Sequence, residues 1–324
     1  MSGRLDQGAL FDLPVVQPCA PDAATLEQAR RLHERWGSRL RLGTSSWHFP
    51  GWRGLVWSAP HDAAVLSRHG LPAYAAHPLL GAVSLDRAFY RALDAGAYAA
   101  LAAQVPDDFR FVVKAASSVT DALLREPGTG RALRANPGFL DPGAAVALCA
   151  QPALQGLGTK LGALVFQLSP LPAEWLQDRR ALLAKLDALW PALPAGCAPA
   201  LELRDPALLG PDLAAHLKAH GVRYVLGLHD RMPPLEDQLP MLRALWPGDL
   251  VCRWNLQRGQ RYADAKDAWA PFDRLAAPDP ATRAALAKVI RGTLDGGRQA
   301  LVTINNKAEG SAPISVKELA ALLA

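Results

Sequence analysis

Along this chain, short β-branched or apolar runs keep stopping at polar or aromatic clusters. Residues 41–46 run into Trp47, 81–86 into Phe89 and Tyr90, 109–113 into Lys114, and 162–166 into Gln167. Residues 199–203, with Glu202 inside, run into Arg204, and 222–228 run into His229 and Asp230. Residues 250–252 meet Arg253, and 300–304 meet Asn305 and Asn306. Ala/Leu/Arg-rich stretches of helical character lie between them, at about 61–77, 95–104, 142–151, 174–190, 206–219, 235–246, 280–295 and 315–323. Strand–helix alternation in a chain of 324 residues, half of them apolar, predicts an α/β fold. The expected architecture is a TIM-barrel-like (β/α)8 domain over 40–324, with functional side chains where strands end.

Residues 1–39 read as a flexible leader: a proline-punctuated stretch over 14–21, then a short helix over 25–36 with Asp22 or Thr25 as N-cap. Residues 125–142, rich in Gly, Pro, Arg and Asn, read as a long loop able to cover the barrel mouth. A net charge of +5 permits an anionic partner without demanding one. There is no secretory signal and no bilayer-length apolar run, so the expectation is a soluble cytoplasmic protein without membrane contact. Cys19, Cys149, Cys197 and Cys252 are widely spaced and form no CxxC pair, which favours reduced thiols. Cys252 ends a strand and is a rival nucleophile, but alternation lets only one of Cys252 and Arg253 face the interior.

The strand ends collect charge. Lys114 closes an apolar strand; pointing inward it needs a carboxylate or an anionic ligand, and its pKa can fall far enough for base or Schiff-base work. Glu202 and Arg204 share one strand face, as do Arg253 and Asn255. Asp86 repeats the pattern on the second strand. Lys114, Glu202 and Asp86 are therefore the catalytic candidates. Trp47, Trp52, Tyr90 and Tyr262 are candidates for stacking on a ligand, and Gln167, Arg204, Asp230, Arg253, Asn255, Asn305 and Asn306 for polar contacts with it. No cofactor is predicted. His229-Asp230 with Glu202 and Asp86 could ligate a divalent metal, yet no HxH, HExxH or DxD spacing supports one. The absence of GxSxG, Walker and GxGxxG fingerprints counts against serine hydrolases, P-loop enzymes and Rossmann dehydrogenases.

Several segments carry a resemblance: GTSSWHFPGWRG (43–54), AFYR (88–91), FRFVVKAASSVT (109–120), LGTKLGALVFQLSP (157–170), LELR (201–204), RWNLQRGQRY (253–262) and NNKAEGSAP (305–313). In this order the chain resembles the YecE-like family, also called domain of unknown function 72. The resemblance implies a TIM-barrel-like fold over about 40–324 and leaves the chemistry open. Two departures stand out. Where members commonly read near VEVNSTFYR, Ser84 stands for the glutamate and Asp86 for the asparagine. Where they read RLHG, Asn255 stands for the histidine.

Gln7-Gly8-Ala9-Leu10-Phe11 fits the QxxLF pattern by which bacterial proteins dock on the sliding clamp, with Gln7, Leu10 and Phe11 as contact residues; the alternative is packing of Leu10 and Phe11 on the barrel. Three functional readings follow. The first is an enzyme, a hydrolase or lyase, acting on an anionic small molecule at the barrel mouth. The second is a DNA-repair-linked phosphodiesterase that processes nucleic acid and is recruited by the tail. The third is a non-catalytic binding or scaffold protein.

Overall fold

The computed structural model describes residues 15–126 and 128–324. Eight parallel strands close a barrel: β1 (Leu40–Thr44), β2 (Ala82–Leu85), β3 (Arg110–Lys114), β4 (Leu161–Gln167), β5 (Pro199–Glu202), β6 (Arg223–Leu228), β7 (Leu250–Trp254) and β8 (Ala300–Ile304). Each strand pairs with its neighbours in sequence, and β8 closes on β1 from Leu40↔Ala300 to Thr44↔Ile304. The fold is the expected α/β barrel. The stretch read as a long loop contains an antiparallel hairpin, Leu123–Arg125 with Ala132–Ala135. Asn136 pins its base by donating to the Ser118 and Asp121 carbonyls at 2.9 and 2.7 Å.

Helix starts follow capping chemistry. Side chains of Asp22, Asp62, Asp94, Asp178 and Asp279 each accept a first-turn amide N–H. The cap at Asp178 also divides the stretch expected as one helix over 174–190 into Ala173–Gln177 and Arg179–Ala192.

Residues 15–39, expected to stand apart, pack onto the barrel. Val16 is buried, and Cys19 and Ser58 donate to the Val56 and Gln17 carbonyls. The helix Ala23–Trp36 lies against the last helix, Ala312–Leu323, where the Trp36 indole donates to the Leu323 carbonyl at 3.0 Å. Gln7, Leu10 and Phe11 lie outside the described residues. Among those described, no helix is long and apolar enough to cross a membrane.

Strand alternation sorts the interior into three levels. A separate apolar cluster of Ala82, Val112, Ala163, Val165, Ala200, Val225, Val251 and Leu301 fills the middle. Two residues further along each strand come Ser84, Lys114, Gln167, Glu202, Gly227, Arg253 and Thr303, and beyond these Asp86, Arg204 and Asn255. Two residues before the plug, Arg110 and Arg223 start their strands, level with Arg41 beside Leu301. The plug therefore separates a polar ring at the mouth from an arginine ring at the floor. The outward residues, Cys252 among them, join the large core under the helices.

Gly43 permits the β1–β2 approach. A Cβ there would sit 1.8 Å from the Ala82 carbonyl oxygen. Gly43→Ala is expected to lower the denaturant midpoint sharply or leave the protein insoluble, while Gly54→Ala, with no atom near its Cβ, is expected to cost only the strain of a positive φ, about 1–3 kcal/mol. Equal midpoints for the two variants would contradict this packing.

Candidate functional site at the barrel mouth

Glu202 is fully buried at the end of β5 and sits at the centre of the mouth. Its Oε1 receives Arg204 Nη1 at 2.6 Å and Asn255 Nδ2 at 3.0 Å. Its Oε2 receives Arg253 Nη1 at 2.5 Å. Arg253 reaches across the barrel with its other terminus, Nη2, to Asp86 Oδ1 at 2.5 Å. Arg204 Nη2 donates to Gln167 Oε1 at 2.9 Å. Side chains from β2, β4, β5 and β7 thus form one belt. Its geometry explains the charge state. Burial alone would raise the Glu202 carboxyl, but Arg204, Arg253 and Lys114 overcome burial and hold it down at about 2. Burial likewise opposes the Arg253 charge, and Asp86 and Glu202 outweigh it, so this guanidinium stays protonated.

Lys114 belongs to the same ring but not to the belt. It is 8% exposed, and its Nζ lies over the Phe89 ring at 3.7 Å from the centroid. Among the described residues its ammonium makes no ion pair and no hydrogen bond. Burial pushes its ammonium down to about 8; Asp86 and Glu202 resist that fall, and Arg253 and Arg204 add to it. Asp86 is the open carboxylate. Its side chain is 34% exposed, and both Ser84 Oγ (2.7 Å) and Arg253 contact Oδ1, which leaves Oδ2 without a partner among the described residues. Ser84 and Asp86 occupy successive inward positions of one strand, so the carboxylate that the family pattern places at 84 stands one position higher here and still meets an arginine. Asn255, in place of the histidine, serves as a donor to Glu202.

The rim is aromatic. Tyr90 and Tyr262 are exposed, and Lys307 Nζ lies 4.2 Å from the Tyr262 centroid and 5.5 Å from that of Phe272. Burial pushes Lys307 down to about 8 as well. Asn305 Oδ1 accepts from the Lys307 amide at 3.0 Å and positions this turn.

Other expected ligand contacts turn inward to the protein. Trp47 and Trp52 are buried and cannot stack on a ligand; their indoles donate to the Leu66 carbonyl (3.1 Å) and to Asn306 Oδ1 (3.2 Å). Asn306 Oδ1 also accepts from the Ala312 amide at 2.8 Å, tying the start of the last helix to Trp52. Arg204 and Arg253 are occupied by Glu202, so they shape the site instead of gripping an anion unaided. Glu202, held ionised, is no proton carrier near neutral pH. Asp230 sits 2.5 Å from His229 Nδ1; burial and then Arg204 push His229 down to about 4, leaving it neutral. Cys252 is fully buried away from the mouth, and burial raises its thiol, which removes it as a nucleophile.

Asp187, His216 and His220 form one histidine–carboxylate trio on the outer helices. The Trp190 indole donates to His216 Nε2 at 3.0 Å, which leaves the proton on Nδ1, facing Asp187 at 3.2 Å. That tautomer makes a hydrogen-bonded chain and takes away the Nδ1 lone pair a metal would need. Ser84, which donates to Asp86, is the contributor that the strand-end pattern alone does not single out, whereas Phe89 follows the 81–86 run and Lys307 follows the last strand end.

The model of the family described as "Protein of unknown function DUF72" matches residues 41–324. The chain belongs to this family. A DUF72 family protein from Thermotoga maritima is similar at 17% identity and TM-score 0.59, covering 88% of this chain and 98% of that one. One from Enterococcus faecalis is similar at 18% identity and TM-score 0.56, covering 88% and 95%. At such identity these DUF72 structures show the barrel fold. No curated protein matches the chain.

Glu202→Gln leaves two buried guanidiniums without their shared anion and is expected to destabilise by about 3–5 kcal/mol at neutral pH. The folded-state pKa of Glu202, about 2, lies below the ordinary 4.5. Its contribution is therefore complete above pH 4.5 and lost as pH falls toward about 2. Melting temperatures recorded across that window should converge for the wild type and Glu202→Gln; a gap that stays constant with pH would refute the shared-anion geometry.

Proposed function

We propose that the barrel mouth is the active site of an enzyme acting on a phosphate- or carboxylate-bearing small molecule. The observation that carries this reading is Lys114: a buried ammonium without a carboxylate of its own, in a ring of fixed charges. Counted together, Lys114, Arg204 and Arg253 face Glu202 and Asp86, so one positive charge is left over for a guest. The belt holds the two arginines rigid, and Lys307 adds a second cation at the aromatic rim. An anionic group entering between Lys114 and Lys307 meets pre-oriented charge, and its organic part meets Tyr90 and Tyr262.

With its pKa lowered to about 8, Lys114 stays mostly ammonium near neutral pH but gives up its proton far more readily than an ordinary lysine, which suits a base or an amine nucleophile. Asp86 Oδ2 supplies the complementary proton acceptor. The reaction class consistent with these groups is a hydrolase or lyase in which Lys114 and Asp86 move protons while Glu202, Arg204 and Arg253 hold position.

Thermal-shift screening with phosphorylated sugars, nucleotides and dicarboxylates tests the reading. Stabilisation by at least one such anion is expected, and Lys114→Met should abolish it. The same substitution removes a desolvated charge, so the unliganded variant should melt at or above the wild-type temperature. If no anion stabilises the protein, or if Lys114→Met keeps the full shift, the mouth is not the binding site.

A further inference from the structure

The other end of the barrel holds a second concentration of cations that the mouth reading does not use. Arg41, Arg110 and Arg223 point inward beneath the apolar plug, and Arg39 joins them around a cavity of about 90 Å³. Asp249 is the one carboxylate lining it, and Asp108, 75% exposed, touches Arg41 from outside at 3.4 Å. Four guanidiniums therefore face two carboxylates, leaving two positive charges in excess. Backbone carbonyls take part of the donor capacity: Arg41 donates to Asp108 and Leu40, Arg223 to Gly162 and Ala198, Arg110 to Asp107 and Phe109, and Arg39 to Leu294. These contacts orient the guanidiniums but do not neutralise them. Burial pushes Arg41 and Arg223 down, and Arg110 adds to the fall at Arg41. Gly162 keeps the space open, since a Cβ there would come within 2.8 Å of the Leu301 side chain and 3.1 Å of Arg110 Cβ.

We propose that this floor cavity is a second anion site, separate from the mouth, that takes the oxyanion head of a phosphate. Like charges gathered out of water repel one another, and a compact dianion between them relieves that repulsion through charge-assisted hydrogen bonds. The volume suits a phosphate group and excludes a sugar or base. A groove of about 1090 Å³ adjoins the cavity, sharing Arg223, Asp249 and Leu250 and lined by Leu239, Leu242 and Trp246. An apolar chain attached to the phosphate has a place there.

Calorimetric titration with inorganic phosphate in low-chloride buffer tests the site. Lys114→Met removes the mouth's own anion binding, so the floor is read in that background: phosphate binding is expected to persist there and to weaken roughly tenfold or more when Arg110→Gln is added. Dodecyl phosphate below its micellar concentration separates the sources: tighter binding than inorganic phosphate identifies an amphiphile head, and equal binding identifies free phosphate or a phosphomonoester. If Arg110→Gln does not fold, phenylglyoxal labelling of the wild type replaces it. Phosphate should protect Arg110 and leave the exposed Arg30 and Arg31 unprotected. No phosphate binding left in Lys114→Met, affinity undiminished there on adding Arg110→Gln, or no protection of Arg110 would each overturn the proposal.

Discussion

One carboxylate shared by two guanidiniums organises this protein's mouth. Glu202 has no exposure to solvent, so its charge persists only because Arg204 and Arg253 stand against both oxygens. The dependence is mutual. Arg253 is equally buried and relies on Glu202 and Asp86, on opposite walls of the barrel. Buried ion networks contribute little net stability compared with apolar packing, because desolvation offsets most of the attraction. What they supply is fixed geometry: a ring whose members cannot drift, around a lysine left without a counter-charge. That division between spent and unspent cations is what makes the mouth read as a place of chemistry.

Much of the fold was legible because periodicity switches cleanly between strand and helix in this chain. Strand ends were legible for the same reason, and Lys114, Glu202, Arg204 and Arg253 do meet around one barrel axis. Their pairing was not legible in full. Glu202 and Arg204 share a face by local alternation, but the Glu202–Arg253 contact depends on how distant strands are staggered when the sheet closes. Trp47 and Trp52 misled because an aromatic residue after a strand serves a ligand or a core equally well in sequence; only the partners of their indoles decide. Strand ends do not point to the floor arginines, which lie where strands begin. Their signal was present, since Arg110 and Arg223 open strands on the same alternation that carries Lys114 and His229.

The departures from the family pattern are small moves within one geometry. The second strand offers two successive inward positions, 84 and 86, and this chain places its acid at the outer one, with Ser84 as a hydrogen-bond donor behind it. An acid there reaches Arg253 with one oxygen and has the other free. The asparagine at 255 keeps a donor to Glu202 but removes a titratable group. The titratable groups that face the mouth beside the belt are then Lys114 and Asp86, with no imidazole at 255.

The apolar plug works as an insulating septum. Alanine, valine and leucine side chains from seven of the strands fill it, with no polar atom on which a water chain could thread from one end to the other. The two charged rings are thus separate compartments of one molecule, coupled by field alone. Substitutions above and below the septum share no partners, so their effects should combine additively, and selection could remodel either end without disturbing the other.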